Sequence, residues 1–143
     1  MDITINLKGN KQLPPQDILE TIKLWSDNLY FDSDTRIESK KLLAENKKTE
    51  REECFGSLLE FGTGGIRGIM GVGTNRINCY TIQMATEGVA RIIKKYLGSQ
   101  ASGVVIGYDS RHRSFEFAQV SSQVLAAHGV PVYLFRNIAP TPL

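Results

Sequence analysis

The sequence has little of what marks several classes of protein. Only two cysteines, Cys54 and Cys79, occur in 143 residues. They fit no metal-binding spacing, which predicts two reduced thiols in a cytoplasmic protein. No apolar run approaches the roughly 18 residues of a membrane-spanning helix, and residues 1–6 lack the basic and then apolar order of a secretory signal. The net charge of +2 is too small to indicate a nucleic-acid or membrane partner.

The rest of the composition is typical of a folded globular chain. The apolar fraction is 41% and the charged fraction is 22%, both of which are ordinary values. A chain of this length fits one domain, or one domain with a helical extension. It is long enough to bury about two thirds of its unfolded surface.

The first part of the sequence predicts helices. Pro15 suits the first position of a helix, and the apolar residues after it recur at steps of four, three and four. These apolar residues are Ile18, Ile22, Trp25 and Leu29. The segments 35–38 and 49–52 each place a glutamate three residues after a threonine, which is the spacing of a capping box. We therefore interpret residues 1–56 as a helical extension.

The second part of the sequence alternates strands with helices. A 3.6-residue period follows Asn78 and ends at Gly98, a suitable C-terminal cap. The apolar residues of this period are Ile82, Ala85, Val89, Ile92, Ile93, Tyr96 and Leu97. The apolar runs within 103–109 and 132–135 predict buried strands, and Ser114 can cap a helix between them.

This order of elements predicts the fold class. From residue 60 the elements run strand, helix, strand, helix, strand, which predicts an α/β fold. Helical crossovers between short buried strands favour a three-layer α/β/α domain with a mixed, largely parallel sheet, and we assign it to residues 57–143. Ligands of such sheets gather beyond the carboxyl ends of the strands.

A glycine-rich segment, residues 60–73, is the most informative part of the sequence. It contains six glycines and one arginine, Arg67. Glycine lets another group approach the backbone closely, and the arginine fork suits phosphate or carboxylate. Because Arg67 lies between Ile66 and Gly68, it has no helical face to occupy. The segment therefore favours an anion-binding loop.

The residue spacing of this segment argues against three known nucleotide- or nucleic-acid-binding motifs. A Walker A loop requires lysine and then serine or threonine after its last glycine, and a dinucleotide fingerprint requires G-x-G-x-x-G; the segment has neither. Residues 65–68 satisfy the G-x-x-G of a KH domain, which clamps a nucleic-acid backbone, but residues 69–77 read as extended rather than helical. A tight strand whose glycines serve only packing is the remaining alternative.

The turn after the second predicted strand is a further candidate for anion binding. Asp109 and Arg111 lie between a predicted strand and a predicted helix, where backbone N–H groups can face an anion. The alternative is an internal salt bridge of Asp109 with Arg111 or Arg113 that holds the turn. The residues favour the salt bridge slightly over direct contact with a ligand.

Groups for covalent or metal chemistry are not indicated. His112 and His128 have no partner at catalytic or metal-binding spacing, and His128 is placed to interact favourably with a helix dipole. No serine carries the signature of a nucleophile, and no Asp-Gly-Asp cluster suits a divalent metal. We therefore predict no catalytic and no metal-binding residue in this chain.

Three motifs taken together resemble one known family. They are Phe-Gly-Thr-Gly-Gly-Ile-Arg-Gly at 61–68, Gly-Tyr-Asp-Ser-Arg at 107–111 and Pro-Thr-Pro at 140–142. In this order they are similar to the N-terminal domain I of the α-D-phosphohexomutases, which are the phosphoglucomutases and phosphomannomutases. The run at 70–78 and the helical extension are most similar to the phosphoglucomutase and phosphopentomutase branch.

The resemblance implies phosphoryl transfer between positions of a sugar. In the family a phosphoserine donates its phosphoryl group to a sugar phosphate, and the bisphosphate formed, such as glucose 1,6-bisphosphate, reorients and returns the other group. Mg²⁺ held by a later aspartate loop supports this transfer, which needs in-line positioning and compensation of negative charge. The implied partners are a sugar phosphate and the remaining domains of the parent mutase, not nucleic acid or a membrane.

The resemblance also implies roles for individual residues. Arg67 matches the arginine that reaches the phosphoserine and the bisphosphate. Thr63, Gly64 and Gly65 match the backbone around that arginine. Arg111 matches a motif whose main role is to shape its turn, with phosphate binding as a second possibility.

The family's serine and magnesium loops lie beyond the Pro-Thr-Pro motif and are not in this sequence. We therefore expect one domain of a longer mutase that interconverts hexose 1-phosphate and hexose 6-phosphate. By itself the domain is expected to be inactive, to hold neither Mg²⁺ nor glucose 1,6-bisphosphate as a bound cofactor, and to bind a sugar phosphate weakly at best. The alternative is a non-catalytic anion-binding or interaction module, which would bind a sugar phosphate through Arg67 without further domains.

Overall fold

A computed structural model describes residues 15–98 and 102–139 of the chain. The fold consists of two units, Met1–Ile77 and Asn78–Leu143. The first unit contains α1 (Pro15–Asp27), α2 (Ser33–Leu42), a 3-10 turn (Glu45–Lys47), α3 (Lys48–Phe55), β1 (Phe61–Gly62) and β2 (Gly65–Ile66). The second contains α4 (Cys79–Tyr96), β3 (Val104–Ile106), α5 (Ser114–Ala127) and β4 (Val132–Leu134).

Helix α1 agrees with the predicted period over most of its length. It begins at the proline, as predicted, and Ile18, Ile22 and Trp25 are buried. Leu29 was predicted to share this face, but it lies beyond the end of the helix and is 83% exposed. The prediction for Leu29 is wrong because the helical period stops before it.

Aromatic side chains form the centre of the first unit. Trp25 stacks on Phe31 with 4.5 Å between ring centroids. Phe55, at the end of α3, meets Trp25 edge-on at 5.3 Å and is completely buried. Stacked and edge-on arrangements are the favourable geometries of aromatic pairs, so this cluster joins α1 and α3.

The next two helices do not begin at the predicted capping boxes. Asp32 caps α2, and its carboxylate accepts hydrogen bonds from the N–H of Thr35 at 2.9 Å and from its hydroxyl at 2.7 Å. Thr35 therefore lies in the first turn, and aspartate is among the strongest N-cap residues. Helix α3 follows directly from the 3-10 turn, with Lys47 in the cap position and no side-chain cap. Thr49 thus lies inside the helix.

Helix α4 has well-defined ends. The side chain of Asn78 accepts a hydrogen bond from the N–H of Thr81 at 2.9 Å, and the Thr81 hydroxyl accepts one from the N–H of Asn78 at 3.0 Å. This reciprocal pair satisfies two N–H groups at the start of the helix. At the other end Gly98 has a φ of +51°, which is the left-handed conformation expected after a helix.

The buried face of α4 differs from the predicted apolar face. Thr86 and Ala90 are buried, and the Thr86 hydroxyl donates to Ser121 Oγ of α5 at 3.1 Å. By contrast, four of the predicted residues are exposed: Val89, Ile92, Tyr96 and Leu97, at 41, 54, 72 and 52%. The prediction is therefore wrong for these four residues. The side chains at a helix contact set how closely the helices approach, and here they are small.

A parallel strand pair lies beside these helices in the second unit. Strands β3 and β4 pair in parallel, with Val105 opposite Tyr133, and both residues are exposed. The alternate residues Val104, Ile106 and Val132 pack against the core formed by Ala90, Leu125 and Val130. A helix that joins two parallel strands confirms the predicted α/β fold class.

The glycine-rich segment forms a hairpin in place of the predicted strand. Strands β1 and β2 pair antiparallel in a sheet of their own, with Phe61 opposite Ile66. The domain boundary expected between residues 56 and 57 stays a prediction, and the two units of the structure divide after Ile77. Within residues 15–98 and 102–139, no helix has both the length and the apolar character to cross a bilayer.

Candidate anion-binding site

The hairpin brings four of the predicted site residues together. Gly62 pairs with Gly65, so Thr63 and Gly64 form the two-residue turn between the strands. Gly65 has a φ of +111° and no atom within 4 Å of the position that a Cβ would take. Glycine at this position is therefore required by the backbone conformation and not by a lack of space. The result is an exposed turn directly before Arg67.

Arg67 presents its guanidinium beside this turn. Arg67 is exposed, and its Nη2 lies 3.7 Å from the position that a Cβ on Gly64 would take. Within residues 15–98 and 102–139, no hydrogen bond or ion pair engages Arg67. A guanidinium offers five N–H donors in a planar fork that matches phosphate or carboxylate. The arrangement can therefore receive an anion next to a glycine backbone.

The chain after Arg67 returns to the end of α3. The N–H of Asn75 donates to the carbonyl of Cys54 at 2.9 Å, and its side-chain amide donates to the carbonyl of Glu53 at 3.1 Å. The Thr74 hydroxyl donates to the carbonyl of Ser57 at 2.8 Å. The two bonds of Asn75 satisfy carbonyls at the C-terminal end of α3, which lack partners within the helix itself. We call residues 73–76, held in this way, the anchor turn.

Gly73 allows the anchor turn to approach α3. A Cβ on Gly73 would lie 2.2 Å from the carbonyl oxygen of Cys54, and the φ of Gly73 is +122°. No other residue type fits both the space and the conformation. Sequence reasoning missed this role, although the run Gly73-Thr74-Asn75 is rich in residues that favour turns.

The turn that contains Arg111 is held by an internal ion pair. Arg111 donates from its backbone N–H and its Nε to the two carboxylate oxygens of Asp109, at 3.0 and 2.7 Å. These bonds, the backbone bond first, lower the pKa of Asp109. The Arg111 side chain nevertheless remains 85% exposed. The salt-bridge alternative is therefore present in the structure, and phosphate binding by Arg111 stays a prediction.

Helix α5 begins without the serine cap that the sequence suggested. Arg113 occupies the cap position with a φ of +61°, a left-handed conformation that is uncommon for arginine. Ser114 is the first residue of the helix, and its hydroxyl accepts a hydrogen bond from the N–H of Asp109 at 3.1 Å. The prediction of Ser114 as cap is wrong because its hydroxyl serves the preceding turn instead.

Arg113 forms the best-defined charged cluster of the second unit. Its Nε and Nη2 donate to the two carboxylate oxygens of Glu116 at 2.7 and 2.6 Å. The Sγ of Cys79 lies 3.1 Å from the same carboxylate. The Arg113 guanidinium is the main cause that lowers the pKa of Glu116 to about 2.

We expect this cluster to make the second unit sensitive to acid. Because the pKa of Glu116 falls from 4.5 to about 2 on folding, its ion pair stabilises the fold above about pH 4.5, and the contribution is lost as the pH falls toward about 2. The difference in the free energy of unfolding between the natural chain and Glu116→Gln should therefore narrow from about pH 5 down to about pH 2. Urea unfolding of both chains, monitored by circular dichroism at each pH, measures this stability difference.

The control for the acid experiment is Arg113→Gln. This variant removes the partner that lowers the pKa of Glu116. Adding Glu116→Gln to it should therefore change little in how the free energy of unfolding depends on pH. If the stability difference caused by Glu116→Gln narrows equally with and without Arg113, then Arg113 is not the group that lowers the pKa of Glu116.

His128 contacts the carboxylate of Glu87. Its Nε2 lies 2.5 Å from a carboxylate oxygen of Glu87, and Arg91 donates to the other oxygen at 2.8 Å. Arg91 first, and then His128, lower the pKa of Glu87. The side chain of His128 is thus directed to α4, where the sequence suggested only a dipole interaction.

The structure does not directly test the Pro-Thr-Pro motif or the prediction that the chain contains no metal-binding residue. The Pro-Thr-Pro motif at 140–142 falls outside the described residues. Among residues 15–98 and 102–139, no group of three or more histidine, cysteine, aspartate or glutamate side chains is placed to hold a metal ion.

Comparisons with known proteins agree with the resemblance of the motifs. The family model for phosphoglucomutase/phosphomannomutase, alpha/beta/alpha domain I, matches residues 58–143. A phosphopentomutase of Homo sapiens is 40% identical over 110 residues, which cover 72% of the chain and 18% of that protein. A phosphoglucomutase of Staphylococcus aureus (strain USA300) is 46% identical over 95 residues, which cover 65% of the chain and 16% of that protein. No solved structure is significantly similar to the chain.

The region matched by the family model contains all five predicted site residues. Thr63, Gly64, Gly65, Arg67 and Arg111 all lie within residues 58–143. The alpha/beta/alpha description of the matched domain agrees with the fold class. The matched part covers only 18% and 16% of the lengths of these two relatives.

Proposed function

Because this chain belongs to the phosphoglucomutase/phosphomannomutase family, we propose that it is the domain I of a mutase that interconverts hexose 1-phosphate and hexose 6-phosphate. In this proposal the enzyme works in the cytoplasm through a phosphoserine and a sugar bisphosphate. The observation that carries it is the exposed guanidinium of Arg67, which has no hydrogen-bond or ion-pair partner among the described residues and lies beside a glycine turn in the part of the chain that the family model matches.

The chemistry of phosphoryl transfer explains why such an arginine is useful. The transferred group spreads negative charge over its equatorial oxygens, and catalysis depends on positioning and on compensating this charge. A guanidinium binds two oxygens at once, so it fixes orientation as well as charge. Gly62, Gly64 and Gly65 have no side chains, so a phosphate can reach the Arg67 fork past the backbone of the turn.

The described residues do not fit the Mg²⁺ that the family resemblance implies. They contain no cluster of carboxylate or imidazole groups placed to hold a metal ion, and we assign no step of the reaction to a metal through them. We propose that the phosphoserine and the metal ligands come from other parts of a longer protein, as the 18% coverage of the human relative supports.

The substrate is a sugar phosphate, and glucose phosphate is our first choice within that class. The relatives are named a phosphoglucomutase and a phosphopentomutase, so hexose and pentose phosphates are both consistent with the family. Arg67 is suited to a phosphate group and not to a particular sugar. The choice of sugar therefore depends on residues other than this arginine.

The test is a titration of the 143-residue chain with glucose 1,6-bisphosphate. Binding is monitored through the NMR signals of the backbone amides of the chain and of the Arg67 Nε–H group. We expect weak binding that shifts the signals of residues 63–67. Arg67→Ala should weaken it by about 10- to 100-fold, the equivalent of losing a charge-assisted hydrogen bond. Arg67→Lys should give an intermediate affinity, because lysine keeps the charge and loses the fork.

The matched control is Arg91→Ala, which removes the same charge from a side chain that is 72% exposed and paired with Glu87. It should leave binding unchanged. Equal weakening by both variants would show that only net charge matters and would contradict the Arg67 assignment. Micromolar binding by the chain alone would favour the non-catalytic anion-binding module instead.

A further inference from the structure

The anchor turn connects the helical part of the first unit to the loop that carries Arg67. Thr74 is only 7% exposed, and its hydroxyl donates to the carbonyl of Ser57 at 2.8 Å. Its own carbonyl accepts a hydrogen bond from the N–H of Leu59 at 2.9 Å. Asn75 adds two bonds to the carbonyls that end α3. Four atoms of two adjacent residues are thus hydrogen-bonded to the segment from α3 to Leu59.

A short path of contacts leads from the anchor turn back to Arg67. The N–H of Ile77, two residues after Asn75, donates to the carbonyl of Ile69 at 2.9 Å. Gly68 lies against the side chains of Ile77 and Leu59, since a Cβ added to it would stand 3.5 and 2.8 Å from their carbons. Gly68 directly follows Arg67, so the backbone of Arg67 is held from one side by residues that depend on the anchor turn.

We propose that Thr74 and Asn75 are positioning residues for Arg67, an inference that rests on the proposed phosphate-binding role of this arginine. They hold the loop after Arg67 against α3, so the guanidinium is presented at a fixed place beside the glycine turn. Holding a binding group in its productive geometry before the ligand arrives lowers the cost of binding. The two residues act through the backbone and do not touch the ligand.

The chain offers an isosteric pair of variants for the test. Thr74→Val keeps the shape of the side chain and removes the hydroxyl that reaches Ser57, whereas Thr74→Ser keeps the hydroxyl. Asn75→Ala removes the amide that reaches Glu53 and keeps the backbone bond to Cys54. A stability control is Ile22→Val, which loosens the buried side of α1 without touching the anchor turn.

The measurements are glucose 1,6-bisphosphate affinity, the order of the Arg67 Nε–H group by NMR relaxation, and hydrogen exchange at Ile69 and Ile77. We expect Thr74→Val and Asn75→Ala to weaken binding by about 3- to 10-fold, to increase the mobility of the Arg67 side chain and to speed exchange. Thr74→Ser and Ile22→Val should match the natural chain in affinity and in Arg67 order.

The outcomes separate this inference from the proposed function. If the natural chain binds and the affinity and Arg67 order do not change in Thr74→Val and Asn75→Ala, the positioning role is overturned and the function stands. Equal weakening by Ile22→Val would overturn it as well, since general loosening would then be the cause. If the natural chain does not bind while the variants still mobilise Arg67, the positioning role stands and the phosphate-binding function fails.

Discussion

Replacing Gly73 with alanine is expected to destabilise the first unit by about 3 kcal/mol or more. The new Cβ would stand 2.2 Å from the carbonyl oxygen of Cys54, and the residue would have to keep a φ of +122°. The two nearest atoms, the carbonyl oxygen and carbon of Cys54 at 2.2 and 2.8 Å, belong to the backbone, so neither can move aside as a flexible side chain would. The decrease in the free energy of unfolding is measured by urea unfolding. The transition is monitored through the fluorescence of Trp25, the single tryptophan of the chain.

Gly65→Ala separates the two causes of that effect. Gly65 also has a positive φ, +111°, but no atom lies within 4 Å of its added Cβ. It should therefore cost only the conformational strain, about 1–2 kcal/mol. Equal losses in the two variants would mean that the close approach of Gly73 to α3 contributes nothing.

The second large effect is expected for Phe55→Ala, at about 3–5 kcal/mol. The ring is completely buried at the end of α3 and packs edge-on against Trp25 at 5.3 Å. Its removal leaves a cavity that the surrounding helices can fill only in part, and the lost contacts add to the lost burial. The same fluorescence-monitored unfolding measures this loss, calibrated against the baseline of each folded variant because the Trp25 environment itself changes.

Two controls bracket the Phe55 result. Phe55→Leu keeps an apolar side chain in the site and should cost less than Phe55→Ala. Leu24→Ala changes a residue of α1 that is 55% exposed, and it should stay within about 0.5 kcal/mol of the natural chain. A loss for Leu24→Ala as large as that for Phe55→Ala would show that burial does not govern stability in this unit.

Helix α1 shows that hydrophobic periodicity predicts which residues are buried but does not predict where a helix ends. It identified Ile18, Ile22 and Trp25 as buried, because a helical face must cover its apolar residues. It failed at Leu29, since an apolar pattern contains no stop signal of its own. The helix ends because Asn28 turns the chain, with its side chain accepting a hydrogen bond from the N–H of Tyr30 at 2.9 Å.

Helix α4 shows a different limit of the sequence. Its start and end were indicated by Asn78 and Gly98, which are local signals. Its buried face was not, because Thr86 is buried by a hydroxyl contact to Ser121, a residue 35 positions away. Hydrophobicity ranks threonine below Val89 and Ile92, yet the small residue lies at the helix contact and the larger ones lie outside.

In the candidate site, too, features with local sequence signals were predicted and features that depend on distant residues were missed. Arg67 and its glycine turn were predicted from neighbouring residues, since glycine and a lone arginine in a loop have a local meaning. The support of the site was missed, because Asn75 bonds to Glu53, which is 22 positions away. Nothing in the local sequence of either residue indicates that pairing.

The contact between α3 and the anchor turn has a practical consequence for dissecting this protein. The family signature begins at residue 58, whereas the carbonyls that receive Thr74 and Asn75 belong to Glu53, Cys54 and Ser57. A polypeptide trimmed to the signature would keep the donors and discard their acceptors. For expression of a self-sufficient folding piece, the N-terminal cut therefore belongs before α3, upstream of where sequence similarity to the family begins.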